Sequence, residues 1–233
     1  MESVKTLYHG STGIIKKPEY GKGNNRNDYG LGFYCTEDLE LAREWACTNK
    51  SGGFANIYTI NTSGFSLLDL SQPQYGLMNW LAVLVNNRIF SITSPMAAEA
   101  LEYLTAFFLP DLSCADAVAG YRADDSYFTF AMDFLSNTIS LRQLNRAMRL
   151  GNLGEQFVLK SRKAFEQIRF VRSETVDGKI YYPKRKKRDL DAREQYRKRE
   201  RIVTRSSGDI FILDVLREEM KQDDARLQRN LLE

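Results

Sequence analysis

The sequence predicts an α+β protein, and three observations carry that expectation. Strand-like segments crowd the first third of the chain, helix signals fill its middle, and strand character returns late. The two strand-rich parts must then form one core. A length of 233 residues suits one domain with an appendage, or two small domains, and can bury a real core.

Taken in order, Thr6–His9 reads as a short strand ending at Gly10-Ser11-Thr12-Gly13, small residues that let a backbone turn. A loop from Lys16 to Gly30 follows, too long and too polar for a neutral connector. Gly30–Thr36 reads as a second strand. Thr36 is expected to cap a helix with Glu37 and Asp38 in its first turn and Leu39, Ala42, Trp45 and Ala46 along one face. Ala55–Asn61 and Phe65–Leu70 read as further strands.

Gly76–Phe90 is an apolar helix, and Ser94-Pro95 opens another with a cap-then-proline signal. Ala115–Tyr121 has strand character, Asp125–Asn137 is aromatic and helical, and Ser140 to Gln143 forms a capping box for a helix ending at Gly151. Strands return at Glu155–Lys160 and Phe170–Val176. Asp177-Gly178 predicts a hairpin turn leading into Lys179–Tyr182. Composition changes after Pro183, which marks the expected boundary between a domain at 1–183, with a helical insert at about 76–150, and a C-terminal extension at 184–233. That extension starts with a basic helical pattern. It continues through Asp209–Leu232, where Ile210, Leu213, Leu216, Met220, Leu227 and Leu231 recur at roughly helical spacing.

Composition narrows the function. Hydrophobic residues at 43% and aromatics at 12% exclude wholesale disorder, and 15 glycines with 5 prolines exclude collagen-like chains. Met1 to Lys5 holds no apolar stretch, so no signal peptide is expected. The apolar runs at Trp80–Val85 and Leu104–Leu109 are far too short for a bilayer. Cys35, Cys47 and Cys114 are an odd set without metal spacing and read as reduced thiols of a cytoplasmic protein. One histidine rules out a paired-histidine metal site, so no metal is expected. The net charge of +3 hides an asymmetry: residues 184–205 carry eleven basic and four acidic side chains, a local +7, leaving −4 for the rest.

Three patterns stand out: Leu7-Tyr8-His9-Gly10-Ser11, the run Tyr29-Gly30-Leu31-Gly32-Phe33-Tyr34-Cys35-Thr36 followed by a helix carrying Trp45, and Gly154-Glu155-Gln156-Phe157-Val158-Leu159. Each alone has an ordinary structural reading, as a satisfied histidine, a tight turn, a core tryptophan or a solvated edge glutamate. In this order they resemble the ADP-ribosyltransferases of the diphtheria-toxin and poly(ADP-ribose) polymerase class. That class has a His-Gly-Ser/Thr strand, a Gly-x-Gly-x-Tyr strand, a second aromatic eleven residues on, and a glutamate opening a late strand. More narrowly, the chain resembles a bacterial family of formerly unknown function grouped with these enzymes. It shares Leu-Tyr-His-Gly-Ser, the run Asp28–Thr36, the stretch Gly120–Asp125 and Gly-Glu-Gln-Phe-Val-Leu-Lys, over about residues 5–176.

The resemblance implies a split β-sheet transferase core that takes NAD as co-substrate. Glu155 would stabilise the positive charge that develops on the ribose when the nicotinamide bond breaks. Tyr34 and Trp45 would sandwich the nicotinamide ring. Gly10 would offer its backbone and Ser11 its hydroxyl to the carboxamide, and His9 would hold a ribose hydroxyl. Gly30 and Gly32 would allow close approach of the cofactor. Arg26 either meets the pyrophosphate or is a solvated loop charge. Ala42 stands where some relatives carry a hydroxyl on that helix. Leu153 stands where the arginine-modifying branch carries Glu or Gln, so arginine is a poor acceptor. Arg122, Asp124 and Asp125 either shape the acceptor side or cap helices.

The expected activity is transfer of ADP-ribose to a macromolecule, nucleic acid being slightly favoured over protein because of the basic segment near Tyr181, Tyr182 and Tyr196. Relatives suggest a toxin or phage-defence effector, with a small antitoxin-like protein as a partner. Two alternatives stay open: a non-catalytic module that binds NAD or ADP-ribose together with nucleic acid, and an NAD glycohydrolase.

Overall fold

A computed structural model describes residues 4–72, 74–90, 92, 94–123, 125–150, 154–199 and 206–227. It is α+β and divides into two compact units. The first comprises 1–69, 111–122 and 153–188; the second comprises 70–110, 123–152 and 189–233.

All seven strands among the described residues belong to the first unit. They are β1 (Val4–Ser11), β2 (Phe33–Cys35), β3 (Gly53–Asn61), β4 (Leu67–Asp69), β5 (Ala117–Tyr121), β6 (Glu155–Leu159) and β7 (Ile168–Val176). They form a three-stranded antiparallel sheet in the order β1-β3-β7 and a four-stranded sheet in the order β2-β6-β5-β4, in which only β4 and β5 run parallel. A single bridge, Tyr8 to Thr36, joins β1 to the end of β2.

Alternation along the strands decides what each face does. Leu7, Tyr58 and Ile60 of one sheet share a core with Cys35, Ala117, Phe157 and Leu159 of the other, so these are the inner, facing surfaces. The outer surface of the three-stranded sheet carries Ala55 and Val176. These pack with Ala46 and Cys47 of helix α1 (Leu39–Ala46) and just past it.

Gly10 shows why that packing demands a glycine. A Cβ at Gly10 would stand 2.0 Å from the Ala42 carbonyl oxygen and 2.5 Å from the Ala46 nitrogen. Alpha-helix backbone thus lies directly on the strand.

The second unit is helical among its described residues. It contains α2 (Leu77–Asn87), α3 (Pro95–Phe107), α4 (Asp125–Leu135) and α5 (Leu141–Ala147). Ser94 caps α3, with Pro95 opening the helix, and Ser140 with Gln143 forms the expected capping box of α5. The predicted end of α5 at Gly151 lies outside the described residues, as do Leu153 and Asp124. The supposed helical insert at 76–150 is not one body, because β5 from its interior pairs with β6 in the first unit.

Four local expectations are corrected. Asp38, not Thr36, caps α1: its Oδ1 accepts from the Glu40 and Leu41 amides at 2.8 and 3.3 Å. Thr36 is held extended by its backbone exchange with Tyr8, at 2.8 and 2.9 Å, so helix cannot start there. Short helix α6 (Arg162–Gln167), capped by Ser161, intervenes between β6 and β7 and is too brief to show a period.

Asp177-Gly178 does not make a hairpin; it starts helix α7 (Gly178–Arg199), with Asp177 Oδ1 accepting from the Lys179 amide at 2.8 Å. Gly178 is required by proximity, since a Cβ there would meet the Gly52 nitrogen at 2.4 Å. Pro183, the expected boundary, lies inside α7. A proline there forfeits one helical hydrogen bond. The helix is held around it by Tyr181 and Tyr182, packed beside Ala46 and Val176, and by Arg188, which grips Glu44 bidentately at 2.9 and 2.7 Å.

The stretch from Asp209 is also not one helix. Only α8 (Ile212–Arg217) forms before Glu219 adopts φ +50°, and 228–233, with Leu231, lie outside the described residues.

Candidate functional site

His9 lies on the inner face of β1, in the same row as Leu7, and opposite Asn56 of β3. Its Nδ1 is 2.6 Å from the Tyr34 carbonyl oxygen. A carbonyl only accepts, so Nδ1 carries the proton and Nε2 keeps its lone pair. Burial lowers the His9 pKa, against the opposing pull of that hydrogen bond, so the ring is neutral at pH 7. Phe33 packs on the imidazole with ring centroids 4.5 Å apart.

Glu155 opens β6 directly opposite Tyr121. It shares a strand face with Phe157 and Leu159, which belong to the core between the sheets. Alternation therefore turns His9 and Glu155 onto the inner faces of the two facing sheets. Glu155 is exposed at its strand end. Desolvation first, then the carboxylates of Asp69 and Glu37, raise its pKa above the usual glutamate value. Glu37 is itself held by Lys5 at 2.7 Å.

Tyr34 lies one residue off that inner face, paired with Val158. Its hydroxyl donates to the Gly30 carbonyl at 2.5 Å and accepts from the Tyr29 amide at 3.1 Å. Gly30 has φ +70°, a turn conformation that favours glycine. Lys160 adds to this turn, donating from Nζ to the Tyr29 and Leu31 carbonyls at 2.5 and 2.6 Å, and burial lowers its pKa. Gln156 donates to Asp28 at 3.0 Å and Tyr29 donates to the Tyr121 carbonyl at 2.6 Å. The Asp28–Thr36 run, the Gly120 stretch and the Gln156–Lys160 strand are thus tied into one hydrogen-bonded knot beside Glu155.

Gly32 serves packing, since a Cβ there would meet Val158 Cγ1 at 2.6 Å. Ser11 is already engaged: its hydroxyl donates to the Gly13 carbonyl at 2.7 Å and accepts from Asn56 at 2.9 Å. Buried Asn56 also donates to the His9 carbonyl at 3.2 Å and accepts from the Ile15 amide at 3.0 Å, so it positions both ends of the first motif. Arg26 is exposed, in a turn where its amide donates to Asn24.

Trp45 lies on α1, whose backbone covers Gly10. The guanidinium of Arg122 stands 4.8 Å from the Trp45 ring centroid, and the Arg122 amide donates to the Gly154 carbonyl at 3.3 Å. Arg122 therefore connects the second aromatic to the residue before Glu155. Among the described residues, two buried side-chain polar atoms lack a partner: Trp45 Nε1 and Gln156 Oε1. Each such atom costs on the order of 1–3 kcal/mol unless a ligand or water meets it.

Sequence reading missed Asn56, Gln156 and Lys160 as positioning residues, and it left Arg122 undecided. Gln156 and Lys160 sat in a quoted motif but showed no pattern of their own. Asn56 had no signal, because its role exists only once β1 and β3 pair.

Together the facing sheets, the glycine turn and the carboxylate at a strand end define an α+β domain with a polar site at its strand ends. The chain belongs to the family described as protein of unknown function DUF3990, whose model matches residues 5–170. No curated protein and no solved structure matches the chain.

Among the described residues, no helix is long and apolar enough to cross a membrane, and no group of three or more His, Cys, Asp or Glu is placed to hold a metal ion.

Proposed function

We propose that the sheet-bearing unit is a mono-ADP-ribosyltransferase that moves ADP-ribose from NAD to a macromolecular acceptor. The observation that supports this best is the placement of a locked, neutral His9 and of Glu155 on the inner faces of the two sheets. The ordered motif resemblance adds to it. In the reaction the nicotinamide–ribose bond breaks with its electron pair leaving on nicotinamide, and the acceptor nucleophile bonds to the ribose carbon and loses a proton.

The residues then have definable tasks. Glu155 in its ionised form stabilises positive charge developing on the ribose. His9 accepts a hydrogen bond from a ribose hydroxyl at Nε2, with no proton transferred, so its charge does not change. The unpartnered Trp45 Nε1–H is a donor that an oxygen of the dinucleotide would satisfy, which supports NAD as the occupant. The Tyr34 hydroxyl, spent on Gly30 and Tyr29, fixes the turn, and its ring is the surface offered to nicotinamide. The split-sheet transferase core, the cytoplasmic setting and a small antitoxin-like partner belong to the same proposal.

The deciding experiment follows labelled NAD with the full chain and a bacterial lysate. Label should become protease- or nuclease-sensitive on a macromolecule, with release of nicotinamide. Glu155→Ala should lower that release about a hundredfold or more. An unchanged rate in Glu155→Ala overturns the mechanism. Free ADP-ribose as the sole product means a glycohydrolase, and binding without turnover means a non-catalytic module.

A further inference from the structure

Part of the positive charge that the sequence concentrates in α7 is already engaged by protein carboxylates. In α7, Lys184 meets Glu40 at 3.5 Å, Arg185 donates to the Cys47 carbonyl and Arg188 is locked to Glu44. Farther along, Arg193 meets Asp189 at 3.0 Å and Lys198 meets Glu194 at 2.5 Å. Glu40 and Glu44 lie outside the basic segment, so these two carboxylates offset part of its +7.

A different place in the first unit has the opposite character. An open groove of about 530 Å³ is lined by Lys16, Lys17 and Pro18 from the long polar loop and by Phe165, Arg169 and Phe170 from α6 and β7. Lys16 and Lys17 are exposed and make no ion pair among the described residues. The carboxylate in the lining is that of Glu166.

Beside these cations stands an aromatic platform. Tyr20 is 45% exposed. Phe165 holds it edge-on at 5.6 Å, and the Arg162 guanidinium lies 4.6 Å from its ring centroid. An unpaired basic strip beside an exposed, braced aromatic is the combination that binds single strands: phosphates track the cations and bases stack on the ring and on the guanidinium plane. A duplex hides its bases and cannot use the ring. An acidic peptide satisfies the cations but has no flat base to stack.

We infer that this groove, lined by Lys16, Lys17, Phe165 and Arg169, is, together with Tyr20 packed on Phe165 beside it, a docking track for single-stranded nucleic acid. Its position suits delivery to the site: ring contacts run from Tyr20 to Phe165, to Phe33 at 6.3 Å, and to His9 at 4.5 Å. The track rests on the transferase reading for its purpose, as the surface that presents the acceptor. Its existence is tested without NAD.

The experiment is fluorescence anisotropy of the full chain with labelled oligonucleotides of about twelve nucleotides, a length within the usual span of single-strand sites. Single-stranded RNA, single-stranded DNA and the corresponding duplex form three arms. Either single strand should bind more tightly than the duplex, and the better of the two names the nucleic acid.

Lys16→Glu with Lys17→Glu should weaken single-strand binding more than tenfold and flatten its salt dependence by a slope of roughly 1.4, the share of two phosphate contacts. Tyr20→Ala should weaken it about tenfold. Arg197→Glu with Lys198→Glu on α7 should change it less than twofold. All these side chains are exposed, and unchanged circular dichroism verifies the fold of each variant.

Wild-type affinity in the Lys16/Lys17 or Tyr20 variant overturns the inference, as does loss of binding in the α7 variant. So does equal competition by polyglutamate, which would mean that the groove reads charge and not bases. Because no NAD is present, failure of the track leaves the Glu155 mechanism standing, and inactivity of Glu155 leaves the track standing.

Discussion

The helical unit closes its central buried polar groups on one another, whereas the sheet-bearing unit closes some, such as Asn56, and leaves two atoms open. In the helical unit, Asn79 is 2% exposed and fully engaged. It accepts from the Gly76 amide at 2.8 Å and donates to the Phe108 carbonyl at 2.8 Å and to Gln222 at 3.2 Å. Ser140 and Gln143 satisfy one another at the start of α5, and Arg142 closes on Asp209 at 2.9 Å. In the sheet-bearing unit, Trp45 Nε1 and Gln156 Oε1 are buried without partners, and Glu155 sits among carboxylates that disfavour its charge. Polar groups that close on each other stabilise a fold. Buried polar groups left open cost stability, and such groups cluster where a ligand meets them.

The largest test of that contrast is Glu155→Gln. Nicotinamide release should fall about a hundredfold or more, while the melting temperature at pH 7 rises. The sign follows from linkage. A carboxyl whose folded pKa is raised favours its protonated form, so the stability it contributes is present at low pH and lost as pH rises through the folded value. Removing the charge at pH 7 therefore relieves the fold. A melting temperature that drops would erase the distinction between the units.

Asn79→Ala is the counterpart. It strands the Gly76 amide and the Phe108 carbonyl, and denaturant unfolding should show a loss of about 2–3 kcal/mol with unchanged turnover per folded molecule.

Lys160→Met probes the knot that holds the glycine turn. The Tyr29 and Leu31 carbonyls lose their charged donor, which should cost about 1–3 kcal/mol. Because the turn also seats Tyr34, KM for NAD should rise, a change that purely global destabilisation would not produce.

The smallest effect sharpens the electrostatics. Activity should fall on the acid side as Glu155 protonates, at a pH above the ordinary glutamate range. Asp69→Asn should move that limb to lower pH but leave it above the ordinary glutamate range, because desolvation is the larger cause. His9 stays neutral at pH 7, since burial lowers its pKa below the ordinary histidine value.

Much of this molecule was legible without coordinates. The strand at β1, the aromatic helix α4, the cap-then-proline start of α3 and the capping box of α5 follow local rules, which act between residues a few positions apart. The expectations that failed share a cause. Asp177-Gly178 satisfies the rules for a hairpin turn and for a helix start equally well, and only the 2.4 Å approach of Gly52 shows what the glycine is for. Pro183 is a local breaker overruled by the packing of Tyr181, Tyr182 and Arg188 on distant residues.

The sequence by itself determined the α+β class, the order of the three motifs, and the side chains with chemistry worth placing: His9, Tyr34, Trp45 and Glu155. Those depend on residue type and short-range spacing. Only the tertiary structure decided that Ser11 is consumed by Asn56, that Gly10 and Gly32 serve packing, and that Arg122 lies on Trp45. It also decided which positive charges are spent. Net charge is a sum over residues, but availability depends on distance: α7 meets carboxylates at contact range, and Lys16 and Lys17 do not.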